Sequence, residues 1–231
     1  MFREEKKKTK IQIILMQKGN SEGLSTTFRL LRFLGFNYSE QEYGQVSLWR
    51  CVKQFFRNIK HKMFENMMDW AILEPINPRK LRPKLLRGMG AKCGKNIFIG
   101  DHVVFDLSHA DLITIDDYAH ITGGCRLLCH QRDLSSYTKG DNAATLKYKL
   151  GHIHIGKGCM IGMETMIMPG VTIGEGAVVG AGSLVTHDIP AWTIATGRPA
   201  RVVKQIKEKE ENSMGGGRNI GYILFHYSNV A

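Results

Sequence analysis

The sequence predicts an all-β solenoid in which short strands stack in successive coils, and two observations carry that prediction. An aliphatic residue returns every six positions between residues 155 and 185. Glycine recurs in a second slot of the same hexad, where a left-handed backbone lets the chain turn a corner. This period matches neither a helix, at about 3.6 residues per turn, nor the alternation of one long strand. The aliphatic positions are Ile155, Ile161, Ile167, Ile173, Val179 and Val185, and the glycine positions are Gly158, Gly170, Gly176 and Gly182.

The same period extends towards the N-terminus and is interrupted twice. It begins near Cys93, inside a predicted β-helix domain of residues 91–200. A bulge falls within residues 106–111, and a polar excursion covers residues 131–154 before the hexads resume. Long excursions from a strict repeat are typical of functional or disordered segments. The excursion is therefore a candidate part of a functional site.

A basic, partly helical appendage of residues 1–90 precedes the solenoid. Over residues 46–73, apolar side chains such as Trp49, Phe56 and Met63 recur at intervals of three and four, which predicts an amphipathic helix. We expect this helix to pack on the end of the solenoid and cover an open strand edge. Its other side is rich in lysine and arginine, so peripheral contact with a membrane is the alternative.

Charge divides the chain at the same place. Residues 1–95 carry 20 lysines and arginines against 8 aspartates and glutamates, a net charge of +12, and the remainder carries −1. Such a segment is compatible with a polyanion or an anionic membrane surface, and we expect no nucleic-acid partner. No apolar run reaches the roughly 18 residues that span a bilayer, and no secretory leader is evident, so we expect a cytoplasmic location. Residues 201–231 are predicted to form a short charged helix, over 201–211, and then a flexible tail.

The hexads resemble the repeat of left-handed β-helix acyltransferases. Residues 196–201, Thr-Gly-Arg-Pro-Ala-Arg, are similar to the Gly-Asn-Pro-Ala-Lys/Arg signature that ends the coil in sugar O-acetyltransferases. The resemblance covers about residues 85–206 and implies a left-handed parallel β-helix, although most crossovers between parallel strands are right-handed. It also implies a homotrimer, acetyl-CoA as co-substrate and a saccharide acceptor.

Three residues are candidates for catalysis. Acyl transfer to a hydroxyl needs a base, and histidine suits that role because its ordinary pKa lies near neutrality. Residues 127–130 read Leu-Leu-Cys-His at the start of the excursion, so that His130 resembles the catalytic base of sugar O-acetyltransferases. His109 is the competing base, because residues 105–110 resemble the Leu-Asp-His-Ala segment of serine acetyltransferases, with two residues inserted. Asp106 is expected to orient whichever histidine acts.

The same resemblance indicates how acetyl-CoA would bind, in a groove between two subunits. Gly162, Ala181 and Thr186 would line its pantetheine arm, and Arg198 and Arg201 would face its phosphates. Arginine suits phosphate because its planar guanidinium presents a fork of donors. The histidines and cysteines lack metal-ligand spacing, so we expect no metal.

The resemblance implies a CoA-dependent O-acetyltransferase that moves an acetyl group to a sugar hydroxyl, in bacterial surface or capsular polysaccharide synthesis. One alternative is a serine acetyltransferase-like enzyme or an enzyme that transfers a larger acyl group. Another is a non-catalytic trimeric scaffold that has the repeat without the chemistry. The acceptor itself is not predicted, because loops of unknown course would build its pocket.

Overall fold

A computed structural model describes residues 23–36 and 43–208, which form a three-sided parallel β-helix preceded by helices. The helices are α1 (Thr26–Phe33), α2 (Leu48–Met68) and α3 (Arg82–Met89), with 3-10 turns at Ala71–Ile76, Ala110–Leu112 and Ala143–Thr145 and a π turn at Asn77–Leu81. The strands are β1 (Lys92–Cys93), β2 (Phe98–Ile99), β3 (Val104–Phe105), β4 (Ile113–Ile115), β5 (His120–Ile121), β6 (Arg126–Leu127), β7 (His130–Arg132), β8 (Tyr148–Leu150), β9 (Ile153–Ile155), β10 (Met160–Ile161), β11 (Met166–Ile167), β12 (Thr172–Ile173), β13 (Val178–Val179), β14 (Leu184–Val185), β15 (Thr193–Gly197) and β16 (Ala200–Gln205).

Three sheets form the sides of the solenoid. Sheet A has the strand order β1-β4-β9-β12, sheet B the order β16-β15-β13-β10-β5-β2, and sheet C the order β14-β11-β6-β3. The chain passes from A to B to C and returns to A one coil further on. Each coil pairs in parallel with the next, as where Ile161 lies opposite Ile121 on one side and Val179 on the other. The predicted stack of short strands is confirmed.

The six-residue pattern corresponds to a fully buried ladder of side chains. Ile155, Ile161 and Ile167 are each 0% exposed, one from each sheet of a single coil. The recurring glycines turn the corners with a positive φ, which is +66° at Gly158. At a second recurring position, glycine is required because there is no room for a side chain. A Cβ on Gly174 would lie 2.4 Å from the backbone nitrogen of Ala191 in the next coil.

The two interruptions of the repeat lie beside each other on the solenoid. The first, after β3, contains the 3-10 turn Ala110–Leu112 before sheet A resumes at Ile113. The second leaves the coil as β7 and returns as β8, and these strands pair antiparallel, with His130 opposite Leu150 and Arg132 opposite Tyr148. The excursion therefore begins as a hairpin that holds His130 at its base.

Helix α3 caps the first coil. Leu85, Leu86 and Met89 are buried and belong to the same apolar cluster as the solenoid interior. Arg82 is 1% exposed, and each of its three side-chain nitrogens donates a hydrogen bond to a backbone or carboxylate oxygen. It bonds to the carbonyl of Met68 at 2.7 Å, to that of Ile99 at 3.1 Å, and to Glu74 Oε1 at 2.5 Å. A buried guanidinium is tolerated because its charge and donors are matched in this way, and it joins α2, α3 and β2.

Helix α2 differs from its prediction in extent and in orientation. It ends at Met68, and the cap on the first coil comes from α3, which the sequence analysis did not identify. Helix α2 contacts this end of the molecule through His61 and Met68, which are 4% and 3% exposed. The apolar face that was expected to cover a strand edge is exposed, with Trp49 at 76% and Phe56 at 64%. No helix in the described ranges is long and apolar enough to cross a membrane.

The predicted C-terminal helix is wrong where the structure describes it. Residues 200–205 form β16, antiparallel to β15, with Thr193 opposite Gln205 and Gly197 opposite Ala200. Gly197, with φ +106°, allows the tight reversal between them. Without β16, strand β15 would be the edge of sheet B with unpaired backbone groups, and pairing with it outweighs the weak tendency of a short charged segment to form an isolated helix. The rest of the predicted helix and the tail, residues 209–231, lie outside the described residues.

Candidate active site

Asp106 and His130 meet where the two interruptions of the repeat leave the solenoid. Asp106 follows β3 directly and His130 begins β7, one coil further along the stack. The Asp106 Oδ2 atom contacts His130 Nδ1 and accepts the backbone N–H of Cys129 at 3.1 Å. Its Oδ1 atom accepts the N–H of Ser108 at 3.3 Å. The side chain of Asp106 is 3% exposed and that of His130 is 38% exposed.

This arrangement assigns different tasks to the two imidazole nitrogens. A carboxylate oxygen can only accept, so the proton of a neutral His130 lies on Nδ1 and points at Asp106. The Nε2 atom then carries the lone pair on a ring that solvent reaches. A buried acceptor on one nitrogen and an accessible lone pair on the other is the geometry of a general base whose tautomer and orientation are held by a carboxylate.

Two further side chains contact the His130 ring. The ring of His109, on the bulge after β3, lies 5.6 Å from it between centroids. The ring of Tyr148, on β8, lies 5.1 Å from it and meets it edge-on. The guanidinium of Arg132 covers Tyr148 at 4.0 Å and also donates to the carbonyl of Leu146. All three predicted catalytic residues therefore lie in one cluster, and Tyr148 belongs to it as well.

His61 is a residue of this region that sequence reasoning missed. The pattern placed it on the basic side of the predicted helix, but it is buried, and its Nδ1 atom lies 2.6 Å from the carbonyl oxygen of Leu107. Leu107 follows Asp106 directly, so α2 is tied to the segment that carries the carboxylate. The contact joins residues 46 apart in the chain, and no local signal in the sequence indicates it.

A second histidine–carboxylate pair lies on sheet A. His154 Nε2 is 2.8 Å from Asp116 Oδ2, and the two side chains are 39% and 42% exposed. His152, two residues earlier, contacts the hydroxyl of Thr114 at 2.9 Å. Exposed pairs of this kind are screened by water and contribute little, unlike the pair at Asp106. Among residues 23–36 and 43–208, no group of three or more histidine, cysteine or acidic side chains is placed to hold a metal ion.

The cysteine next to His130 is not a nucleophile. Burial raises the pKa of the Cys129 thiol to about 12, and the negative charges of Asp106 and Asp111 add to that effect. Burial likewise raises the pKa of the Cys159 thiol to about 11. Both thiols are therefore protonated near neutral pH, and the thiolate that nucleophilic chemistry requires is scarce. The other polar groups that meet in the cluster are the imidazoles of His109 and His130 and the carboxylate of Asp106.

The residues predicted to bind acetyl-CoA fall at two different corners of the solenoid. Gly162 and Ala181 lie on adjoining coils at the corner after sheet B, and a Cβ on Gly162 would sit 2.4 Å from the Ala181 nitrogen. Thr186 follows β14 at the corner after sheet C, which is also the corner that Asp106 occupies after β3. Thr186 and Asp106 are therefore separated by three strand spacings along sheet C, or about 14 Å at about 4.8 Å per spacing.

Basic side chains lie at the C-terminal end of the solenoid. Arg201 lines an open cavity of about 270 Å³ with His187, Asp188 and the start of β16. Thr186 bonds to the ring of His187 at 2.8 Å, which places that hydroxyl next to the cavity. Arg198 is exposed in the reversal between β15 and β16, which the pairing of β15 with β13 places at the corner after sheet B. This end of the solenoid thus offers donors and positive charge that fit a phosphorylated ligand.

Comparison with known proteins agrees with this architecture. The family model described as bacterial transferase hexapeptide (six repeats) matches residues 152–187. A putative acetyltransferase of Staphylococcus aureus (strain Mu50) is 38% identical over 119 residues, covering 52% of this chain and 57% of that protein. The chain thus spans little more than half the length of the Staphylococcus relatives it matches.

Two relatives from Escherichia coli K12 are covered more fully. Galactoside O-acetyltransferase is 31% identical over 147 residues, which are 57% of this chain and 71% of that protein. The putative colanic acid biosynthesis acetyltransferase WcaF is 32% identical over 160 residues, which are 61% of this chain and 87% of that protein. The chain belongs to the family of hexapeptide-repeat acetyltransferases.

Solved structures show the same fold. A maltose O-acetyltransferase from Clostridium difficile 630 aligns with a TM-score of 0.53 at 22% identity, over 67% of this chain and 89% of that one. A galactoside acetyltransferase in complex with coenzyme A aligns with a TM-score of 0.51 at 25% identity, over 67% of this chain and 82% of that one. The resemblance that the hexads indicated is confirmed by independent comparisons of sequence and structure.

Proposed function

We propose that the protein transfers an acetyl group from acetyl-CoA to a sugar hydroxyl, with His130 as the general base and Asp106 as its positioning residue. One observation carries the proposal. A buried carboxylate, held by two backbone N–H groups, contacts Nδ1 of an imidazole whose side chain is 38% exposed. Positioning of this kind makes an imidazole an efficient base at neutral pH.

The reaction is a direct transfer in a ternary complex. His130 Nε2 takes the proton of the sugar hydroxyl while that oxygen attacks the thioester carbon. The tetrahedral intermediate then collapses, the carbon–sulfur bond breaks, and the imidazolium returns the proton to the CoA sulfur. The Asp106 carboxylate stabilises the imidazolium between these two steps. His109 is the alternative base, but its ring lies beside His130, and the bond to Asp106 is made by His130.

The donor is proposed to bind along the corner that Asp106 and Thr186 share. Its phosphates would meet Arg198 and Arg201 at the C-terminal end of the solenoid, and its thioester would reach His130. The distance of about 14 Å between Thr186 and Asp106 suits the extended pantetheine arm of acetyl-CoA, which would bond to backbone groups of the coils between them. The galactoside acetyltransferase that was solved with coenzyme A supports this choice of donor.

A homotrimer is part of the proposal, because one chain does not bring all these residues to one place. Gly162 and Ala181 lie at a different corner from Thr186, with sheet C between the two corners. In a trimer, a groove between two left-handed solenoids would be lined by one corner of each subunit. Gly162 and Ala181 of one subunit would then lie close to Thr186 of its neighbour. On this basis the acetyl-CoA site lies between neighbouring subunits of a cytoplasmic trimer.

A saccharide acceptor is inferred from the relatives. A galactoside O-acetyltransferase and a putative colanic acid biosynthesis acetyltransferase both align over more than two thirds of their own lengths. The second of these favours a unit of a bacterial surface polysaccharide.

The experiment follows thiol release from acetyl-CoA with a panel of sugars and with serine as acceptors. The His130→Ala variant should lower kcat by about 10² or more, because proton transfer by a positioned base contributes about that much. His109→Ala separates the two candidate bases. His154→Ala is the matched control, since it removes the histidine of another histidine–carboxylate pair. Full activity of His130→Ala would refute the assignment, and a CoA titration without heat would indicate a scaffold.

A further inference from the structure

Helix α2 presents a wide apolar face to solvent. At about 100° per residue, six large side chains fall within about 120° of the helix circumference. Each of them is more than two fifths exposed, and they are Leu48 at 62%, Trp49 at 76%, Phe55 at 60%, Phe56 at 64%, Ile59 at 41% and Met63 at 58%. A contiguous exposed face of this kind indicates an interaction surface rather than scattered surface residues.

The helix cannot bury this face by rolling inward, because its opposite side is anchored. His61 bonds to the carbonyl of Leu107, and Met68 is 3% exposed within the apolar cluster that continues into the solenoid. Lys60 donates to the carbonyl of Gly88 at 3.0 Å. His61 and Met68 lie on the opposite side of the helix and Lys60 lies beside one edge of the face, so the exposed face is held outward by the same packing that fixes α2 to the protein.

Positive charge borders the exposed face. The helix carries five lysines and arginines against one acidic residue, and that residue, Glu65, is paired with Lys62 at 2.6 Å. At about 100° per residue, Lys53 and Lys60 lie within about 40° of one edge of the face and Lys62 lies beside the other edge. Arg50 and Arg57 lie further round the helix, and both are exposed. A partner on this face therefore meets lysines at both edges of an aromatic and aliphatic surface.

The apolar face of α2 and the cations at its edges together indicate what kind of partner binds there. Two copies of α2 packed face to face would bring their basic borders together, and that repulsion disfavours a second copy of the chain. An anionic bilayer surface matches both components, since tryptophan and phenylalanine insert at the boundary of head groups and acyl chains while lysine and arginine meet the lipid phosphates. We propose that this face of α2 docks the protein on an anionic lipid bilayer.

The test is co-sedimentation of the full-length protein with phosphatidylcholine vesicles, with and without phosphatidylglycerol. Binding is expected to the anionic vesicles and not to the neutral ones, and it should weaken as salt screens the charges. The Trp49→Ser/Phe56→Ser variant should bind at least ten-fold more weakly. Met163→Ser is the matched control, because it removes a side chain of similar exposure, 59%, from the solenoid.

Other results would overturn the proposal. Equal binding to both vesicles, no binding to either, or unchanged binding by the double variant would each exclude docking through this face. Sedimentation velocity without lipid tests the competing occupant, since a change of mass in Trp49→Ser/Phe56→Ser would show that copies of the chain cover it. Circular dichroism and melting temperature should match the wild type, because the substituted side chains are exposed. Acetyl transfer to a soluble sugar is read separately, so failure here leaves the proposed enzymatic function standing.

Discussion

Replacing Asp106 by asparagine tests whether the buried carboxylate positions His130. In the structure, Oδ2 faces His130 Nδ1 and the N–H of Cys129, and Oδ1 faces the N–H of Ser108. Three donors thus converge on two acceptor atoms. An asparagine amide offers one acceptor and one donor group, so either orientation sets an NH₂ group against a donor.

The two orientations have different consequences for the reaction. With the amide oxygen at the Oδ2 position, only the contact to Ser108, the longest at 3.3 Å, is lost, and His130 keeps its tautomer. The imidazolium then has a neutral partner. Hydrogen bonds with a charged partner contribute about 1.5–3 kcal/mol and neutral ones about 0.5–1.5 kcal/mol, a difference of about 1–1.5 kcal/mol. That difference corresponds to roughly ten-fold in rate.

The opposite orientation is more damaging and less stable. An NH₂ group at the Oδ2 position opposes the buried N–H of Cys129 and forces the proton of His130 onto Nε2, where it blocks the base. Losses of about 10⁴ in kcat accompany the wrong tautomer in a comparable triad. Since the first orientation retains more hydrogen bonds, we expect a decrease in kcat of about 10 to 100-fold for Asp106→Asn, with little change in KM for acetyl-CoA.

A double-mutant cycle separates positioning from a structural role. If Asp106 acts only through His130, then Asp106→Asn should lower kcat no further in a His130→Ala background. Steady-state thiol release by the four proteins, with melting temperatures alongside, provides the measurement. Wild-type kcat in the single variant, or losses that multiply in the double variant, would refute the reasoning.

Three further outcomes are expected. His61→Ala leaves the Leu107 carbonyl without its buried donor and should cost about 1–3 kcal/mol of folding free energy, or roughly 2–12 °C in a thermal melt, and kcat should also fall because the segment carrying the carboxylate loosens. A result equal to the wild type would exclude that role. Gly174→Ala should lower the melting temperature more than Gly158→Ala does, because a Cβ at the first meets backbone at 2.4 Å and at the second has free space and only a positive φ to strain it; the reverse order would contradict this. Because the folded pKa of Cys129 is raised to about 12 from an ordinary 9.0, its contribution to stability is full below pH 9.0 and should be lost as the pH rises to about 12, and a Cys129→Ala variant should show a shallower decline in alkaline denaturation.

The repeat and the segment that follows it differ in how far the local sequence pattern predicts their structure. The hexads repeat one environment many times, so a side chain such as Ile161 and a corner such as Gly158 can be assigned from their neighbours alone. Residues 201–205 have no such repeat, and their charged composition predicted a helix. They form β16 instead, because the tight reversal at Gly197 folds them back onto the edge that β15 would otherwise leave open.

The amino-acid sequence by itself determined the solenoid, the places where it is interrupted, and the histidines worth considering. Only the tertiary structure decided that the Asp106 carboxylate binds His130, 24 residues away, and that His61 supports the segment between them. It also decided which side of α2 faces solvent. The physical reason is that hexad periodicity reports the burial of each side chain, a local property, whereas hydrogen-bond partners and docked helix faces depend on contacts between coils and elements that are far apart in the chain.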